Sequence, residues 1–427
     1  MDGLDNIVKD EQYISISGGA ELCGRVRLHG AKNAVLPILV ASVLTEDEVT
    51  VCDCPNISDV QNMIELLKEL GIQVRKNGRD ITLWGRVCAN VTAQPKLYGM
   101  MRSSMFLLGA LLATVGEVSM PLPGGCDIGS RPMDIHLDGL SRMGATTQCE
   151  NGMIRCSAKT LHGADIIMKY PSVGATENLL MCAVKAKGKT RLINCAREPE
   201  IVALVQALRA MGARIRGEGS SVIEIEGTDS LYGAAVKPVG DRIICGTVMC
   251  AVSLCGGDVT IEGVESRDVS SVIYALEGEG CRIEDYGACL RIRSTGRIRA
   301  GDITTGPFPL FPTDMQPQIC VCKCFAEGVS IIRETVFENR FAHVRDLVRL
   351  GADISLDGNR AVVRGSSLHC GDMYAHDLRG GAGFCIAAMK MQGESRVFDP
   401  HFIDRGYEDF EGLFSSLGAS ISRKTAD

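Results

Sequence analysis

The chain has 427 residues and a formal net charge of −7, with 48 Gly, 19 Cys, a single Trp and 45% apolar residues. That length suits two large domains or an array of smaller units, and the apolar share supports sizeable cores and excludes a disordered chain. The acidic balance and scarce rings (8 Tyr, 11 Phe) argue against a nucleic-acid partner, which calls for a basic face and stacking platforms.

From the N-terminus onward, MDGLDNIVKDEQ is acidic and lacks the basic, apolar and small-residue regions of an export signal. The longest nearly unbroken apolar runs, 33–44 and 105–115, fall well short of the roughly 20 residues a membrane span needs. A cytoplasmic protein with no membrane partner is expected. Its thiols stay reduced there, so most of the cysteines are expected as small core residues.

A β-like run (GRVRLHG) gives way to an apolar helix over 34–44, and a second helix then ends in LKELGIQV at Gly71. That ending recurs as LSRMGATTQ (Gly144), LRAMGARIR (Gly212), LEGEGCRIE (Gly280), LVRLGADIS (Gly351) and FSSLGASIS (Gly418), at intervals of 73, 68, 68, 71 and 67 residues. Such regularity defines six units of about 70 residues. Each unit ends in an amphipathic helix, a Gly that can take the left-handed conformation, and an alternating strand. A second apolar helix precedes it, over 101–115, 176–184, 246–254 and 377–391. β-rich runs such as EVTVCDCP, KTRLINCA, GDVTIEGV, GVSIIRET and ESRVFDP fill the gaps. A unit reads strand–helix–strand–helix–strand–strand, an α/β repeat, and six of them suit two domains of three units each. The boundary is expected at 232–240 (YGAAVKPVG). Periodicity leaves open which half receives the strand before Gly30.

Four segments could carry chemistry. Lys32 opens a helix in Gly30-Ala31-Lys32-Asn33-Ala34, where free N–H groups and a cation suit a phosphate or carboxylate; the plain alternative is an exposed first-turn lysine. Cys126 lies in the loop PGGCDIGSRP, five positions before Arg131, whose guanidinium would lower the thiol pKa and make it a usable acid or nucleophile. In GPFPLFPTDMQ, Thr313 or Asp314 would cap the helix that follows, or Asp314 would serve as a general base. Arg340, Arg379 and Arg405 recur at equivalent unit boundaries, with Asp377 beside Arg379, and suggest an electropositive rim around a cleft that holds a doubly charged small molecule. Cys320, Cys322 and Cys324 are expected on an apolar helix, where positions two apart diverge, and not at a metal. Cys52 and Cys54 are expected to pack on one face of a strand. The seven histidines form no metal pattern.

GAKNA, MRSS, LPGGCDIGSRPMDIH, PSVGATEN, AREPEI, FPTDMQPQ, ETVFENRF, DLRGG and HFIDRGYE follow one another in the order found in the UDP-N-acetylglucosamine 1-carboxyvinyltransferase family, which the chain resembles from about residue 14 to 421. The resemblance implies two inside-out α/β domains of three βαβαββ units each, over 32–238 and over 1–31 plus 239–427, with the active site between them. It implies transfer of the enolpyruvyl group of phosphoenolpyruvate to the 3′-hydroxyl of UDP-N-acetylglucosamine, through a tetrahedral ketal and with release of phosphate. That is the first committed step of peptidoglycan synthesis, and no metal or cofactor is implied. Cys126 matches the family's loop cysteine, a general acid that can carry an adduct, and Asp314 the aspartate facing the sugar hydroxyl. Lys32, Arg131 and Arg405 match the phosphoenolpyruvate phosphate contacts; Arg340, Asp377 and Arg379 line the same pocket and Asn33 approaches both substrates. Arg102, Arg131, Pro132, Met133, Asp134, Ile135, Ser172, Val173, Gly174 and Val336 match the nucleotide-sugar cradle. The chain departs from some members at Tyr170, where they have a basic residue, and at Ser58, where they have lysine. A monomer is expected. The alternatives are a non-catalytic nucleotide-sugar-binding paralogue and enolpyruvylshikimate-phosphate synthase, whose GNAGT motif is absent.

Overall fold

The structure, a computed structural model, describes residues 12–88, 102–122, 133–287 and 289–425. Its described apolar residues form two separate cores. One is built from residues between Ala31 and Val236, the other from Ile14–Leu28 together with Ile243–Ala419. Helices lie inside and sheets outside. In Lys32–Ala41 eight of ten residues are buried, and in Leu378–Lys390 twelve of thirteen, whereas sheet strands such as Val222–Glu226 alternate exposed and buried. Helices rich in Gly, Ala and Cys are what such an interior requires, because backbones must approach closely. A side chain at Gly109 would stand 2.2 Å from the Asn178 carbonyl oxygen of the neighbouring helix.

All six repeat glycines have positive φ, between 93° and 112°, and each is followed within two residues by a strand; the first five fold back antiparallel on the next strand, and the sixth, Ser420–Thr425, pairs antiparallel with Gln12–Ser17. Only Gly enters this region without steric cost, so the turn recurs wherever the LxxxG pattern does.

The described strands make five four-stranded sheets and one three-stranded sheet. Three of them take in a strand from far along the chain. Ala234–Val236 pairs parallel with Val49–Val51, and Leu22–Arg27 pairs parallel with Gly257–Glu262. Gln12–Ser17 sits between Glu394–Phe398 and Ser420–Thr425, so both N-terminal strands belong to sheets over the second core. The chain passes between the cores near 28–31 and 237–241, and these passages are tied together. Ala31 N–H donates to Val239 O at 2.7 Å, and Asp241 N–H to His29 O at 3.1 Å.

Two local expectations are overturned. Cys52 and Cys54 lie past the end of strand Val49–Val51, around a left-handed Asp53 (φ 54°), so the chain turns where an alternating strand was expected. Asp314 is no helix cap. It lies in a 3-10 turn, Thr313–Met315, and the helix Gln316–Phe325 starts beyond it without a side-chain cap because the carboxylate is held elsewhere. Cys320, Cys322 and Cys324 are buried on that helix as expected. Among the described residues no helix is long and apolar enough to cross a membrane, and no group of three or more His, Cys, Asp or Glu could hold a metal.

The repeat turn is testable. At Gly280 (φ 112°) the nearest atom to an added Cβ is 4.0 Å away, so Gly280→Ala should cost only the backbone term, about 1–2 kcal/mol. Gly227→Ala, whose Cβ would fall 1.6 Å from Ala186 O, should lower the urea midpoint considerably more. Equal midpoints for the two variants would contradict this account.

Candidate functional site

The charged residues singled out in the sequence converge where the two cores meet. Lys32 is the first residue of its helix, and its backbone N–H donates to Asp241 Oδ2 at 3.2 Å. Asp241 also caps the helix Arg242–Cys255 through Ile243 and Ile244, so one carboxylate closes a helix start in each half. The Lys32 ammonium lies 2.6 Å from Asp59 Oδ2, with its side chain only 12% exposed, which rules out a solvated first-turn lysine. Arg405, at the end of the 3-10 segment Pro400–Arg405, donates to the same carboxylate at 3.1 Å and 3.5 Å. Asp59 thus joins a cation from each half. Burial raises its pKa, but Lys32 and Arg405 outweigh that and hold it below the usual value. The Lys32 ammonium is pushed down by burial, with Arg379 and Arg405 adding to the shift and Asp59 opposing it.

Asp314 holds the second half of the cluster. Its Oδ1 accepts from Arg340 at 3.2 Å and its Oδ2 from Arg379 at 3.0 Å. Burial alone would raise its pKa; Arg379, Arg340 and Lys32 reverse the sign and hold it well below the carboxylate range. Arg340 is fixed further by the Thr313 carbonyl at 3.0 Å, and Asp377, the cap of helix Leu378–Lys390, stands 3.7 Å from its Nη1. Among the described residues the buried Arg379 Nη1 has no hydrogen-bond partner, a donor that an anion would satisfy. The expected electropositive rim is therefore a lattice of shared carboxylates and cations, four of which (Lys32, Arg340, Arg379 and Arg405) face two aspartates. Val336 donates its N–H to Glu334 Oε1 at 2.7 Å, while Glu334 Oε2 accepts from Thr313 Oγ1 at 3.0 Å, which places Val336 beside the Asp314 turn.

In the first half, Asn178 gathers a second group of elements. Its side chain accepts from Gly109 N, donates to Met105 O at 2.9 Å and meets His136 Nδ1 at 3.0 Å. This draws together the 3-10 segment Arg102–Phe106, the start of helix Asp134–Arg142 with Met133 before it, and the start of helix Val173–Ala183, capped by Ser172. An added Cβ at Gly174 would lie 3.5 Å from His136 and 3.9 Å from Phe106. Arg102, Met133, Asp134, Ile135, Ser172, Val173 and Gly174 thus come from three neighbouring helix starts, whose N–H groups suit an anion. Asn33 is half-buried in the first turn beside Lys32. Cys126, Arg131 and Pro132 lie outside the described residues. The sequence reading missed Asp59, Asp241 and Asn178. Their charge or amide was the only local mark, and each has a partner far along the chain: Asp241 with Lys32, Asn178 with Gly109 and Asp59 with Arg405 are 209, 69 and 346 residues apart.

The sequence profile of EPSP synthase (3-phosphoshikimate 1-carboxyvinyltransferase) matches residues 16–414. The chain is 41% identical to the UDP-N-acetylglucosamine 1-carboxyvinyltransferase of Halothermothrix orenii, with 96% of this chain and 98% of that protein covered. It is 43% identical to the protein of the same name from Desulforapulum autotrophicum, over 96% and 99%. Among solved structures, the enolpyruvyl transferase NikO from Streptomyces tendae matches with a TM-score of 0.88 at 26% identity, over 98% of this chain and all of that one. EPSP synthase from Acinetobacter baumannii matches with a TM-score of 0.73 at 18% identity, which shows a shared fold.

Two predictions test the charge lattice. Asp59→Ala leaves Lys32 and Arg405 buried without their shared partner and should cost about 3 kcal/mol or more; inorganic phosphate should then raise its melting temperature more than that of the parent protein. The second concerns His343, which burial pushes down to about 4, with Asp377 opposing that shift and Arg340 adding to it. Between pH 6.5 and 4 the unfolded chain takes up a proton that the folded one refuses, so stability is full above that window and falls as pH drops through it. The slope is at most about 1.4 kcal/mol per pH unit, and His343→Gln should flatten it in urea unfolding at a series of pH values.

Proposed function

The chain belongs to the UDP-N-acetylglucosamine 1-carboxyvinyltransferase family, and from that membership we propose that it transfers the enolpyruvyl group of phosphoenolpyruvate to the 3′-hydroxyl of UDP-N-acetylglucosamine, releasing phosphate, in peptidoglycan synthesis. The observation that carries this reading is the lattice around Asp59 and Asp314, in which four cations face two carboxylates at the junction of the cores. Lys32 and Arg405, with Arg131, would take the phosphate of phosphoenolpyruvate. Arg340 and Arg379 would take the remaining anionic groups, and the helix starts at Met133–Ile135 and Ser172–Gly174, with Arg102, would take the nucleotide sugar.

The chemistry needs a proton donor, a proton acceptor and fixed cations. Cys126 would protonate the methylene carbon while the sugar hydroxyl oxygen bonds to C2 and Asp314 takes the hydroxyl proton. The resulting tetrahedral ketal would then lose phosphate from C2 and a proton from the new methyl group, leaving the enolpyruvyl ether. The lattice controls when Asp314 is a base. With Arg340 and Arg379 on its two oxygens the carboxylate is ionised but weakly basic. Substrate anions that draw on the same guanidinium groups weaken that hold and make the carboxylate more basic only in the loaded site.

Purified protein should release phosphate from phosphoenolpyruvate with UDP-N-acetylglucosamine as acceptor and none with shikimate 3-phosphate. Asp314→Ala should lower kcat by roughly a hundredfold or more, and Cys126→Ala should lose covalent labelling by an epoxide such as fosfomycin. Binding of the nucleotide sugar with no phosphate release would instead mark a non-catalytic binder.

A further inference from the structure

Away from the charge lattice, the halves meet at a second contact that no step of the reaction uses. Arg197 and Glu198 close the loop before helix Pro199–Ala210, whose residues belong to the first core. Glu198 is buried, and its Oε1 accepts the Phe308 N–H at 3.2 Å; Arg197 Nη2 donates to the Phe308 carbonyl at 3.1 Å. Two consecutive residues of one half therefore hold both backbone polar groups of one residue in the other. The Phe308 ring lies under the Arg242 guanidinium, 5.9 Å from ring centre to Cζ, and Arg242 is anchored by Glu200 at 3.0 Å.

Phe308 sits in a short closed loop. Gly306 N–H donates to Phe311 O at 2.9 Å, Leu310 N–H to Pro307 O at 3.0 Å, and Thr305 is bridged to Phe311. Because the loop is bonded across its neck, a displacement of Phe308 is passed on to Phe311 and Pro312, and so to the turn Thr313–Met315 that carries Asp314. On the far side that turn is fixed by Arg340 to Thr313 O and by Glu334 to Thr313 Oγ1. Asp314 is therefore positioned from its own half by Arg340, Arg379 and Glu334, and from the other half only through Phe308 among the hydrogen bonds described here.

We propose that Glu198, assisted by Arg197, is a positioning residue for the reaction: by gripping Phe308 across the cleft it sets the 306–312 loop, and with it Asp314, against the acceptor hydroxyl bound mainly by the first half. This rests on the reading of Asp314 as the base. Truncating Glu198 misplaces the base and leaves the cations and helix starts that bind substrate intact, so the loss falls on turnover.

The test compares Glu198→Ala, Glu198→Gln and Arg197→Ala with the parent in phosphate release from phosphoenolpyruvate and UDP-N-acetylglucosamine. Amide hydrogen exchange across 306–312 is measured on the same proteins. Glu198→Ala should lower kcat roughly ten- to hundredfold while both KM values stay within about twofold, and should speed exchange at Phe308. Glu198→Gln keeps a carbonyl acceptor for the Phe308 N–H and should restore most of kcat and the protection. Arg197→Ala, at an exposed side chain, should give a smaller loss of the same kind. Unchanged kcat in Glu198→Ala, an equal loss in Ala and Gln variants, or a loss expressed in KM alone overturns the proposal. If the parent releases no phosphate, the functional reading fails; unchanged exchange at Phe308 in Glu198→Ala would then remove the grip as well.

Discussion

The carboxylate of Asp59, shared by Lys32 from its own half and Arg405 from the other, is the interaction on which the site depends. Desolvating three charges costs several kcal/mol per ion, roughly, and the Coulomb energy between them returns little more than that. The triad is therefore a poor device for stability alone. It holds two cations at the junction of the cores, at the spacing one carboxylate imposes, where their repulsion would otherwise drive them apart. Asp59 is the carboxylate that bonds Lys32 there, where its own helix is apolar and its neighbours Arg379 and Arg405 disfavour its charge.

Asp314 repeats the arrangement. Two guanidinium groups converge on one carboxylate, so the acid is the group whose protonation state is controlled. An anion that took a share of Arg340 or Arg379 would raise the basicity of Asp314. Fixed geometry and variable electrostatics are thus separated: Thr313, Glu334 and the 306–312 loop hold the carboxylate in place, and the cations set its proton affinity.

Much of this was legible in the sequence where the physics is local. The six helix endings, five LxxxG and one FSSLG, announce six left-handed glycines because a helix that must turn into a strand within two residues needs φ > 0, and no other residue supplies it without cost. The apolar helices were legible from their composition, and Asp377 lies where a cap for Leu378–Lys390 belongs. Of the two expectations for Asp314, cap or base, the cap fails although Asp377 does cap its helix. An aspartate before a helix satisfies the N-terminal N–H groups unless a stronger partner claims it, and here Arg340 and Arg379, 26 and 65 residues away, do so. Cys52 and Cys54 show the same limit, since a left-handed Asp53 breaks the alternation that their spacing suggests.

The sequence by itself determined the repeat, the helix-to-strand turns, the family and the identity of the charged residues, because each of these is written in spacing or in motif over a few positions. Only the tertiary structure decided that Leu22–Arg27 and Ala234–Val236 serve sheets far from them in sequence, and which aspartate each cation meets. The physical reason is the same in each case. A strand's partner and a buried charge's counter-ion are chosen by where the cores bring them, as with Gln12 beside Thr425 and Asp59 with Arg405, 346 residues away, and pairing energies of that kind leave no trace in local periodicity.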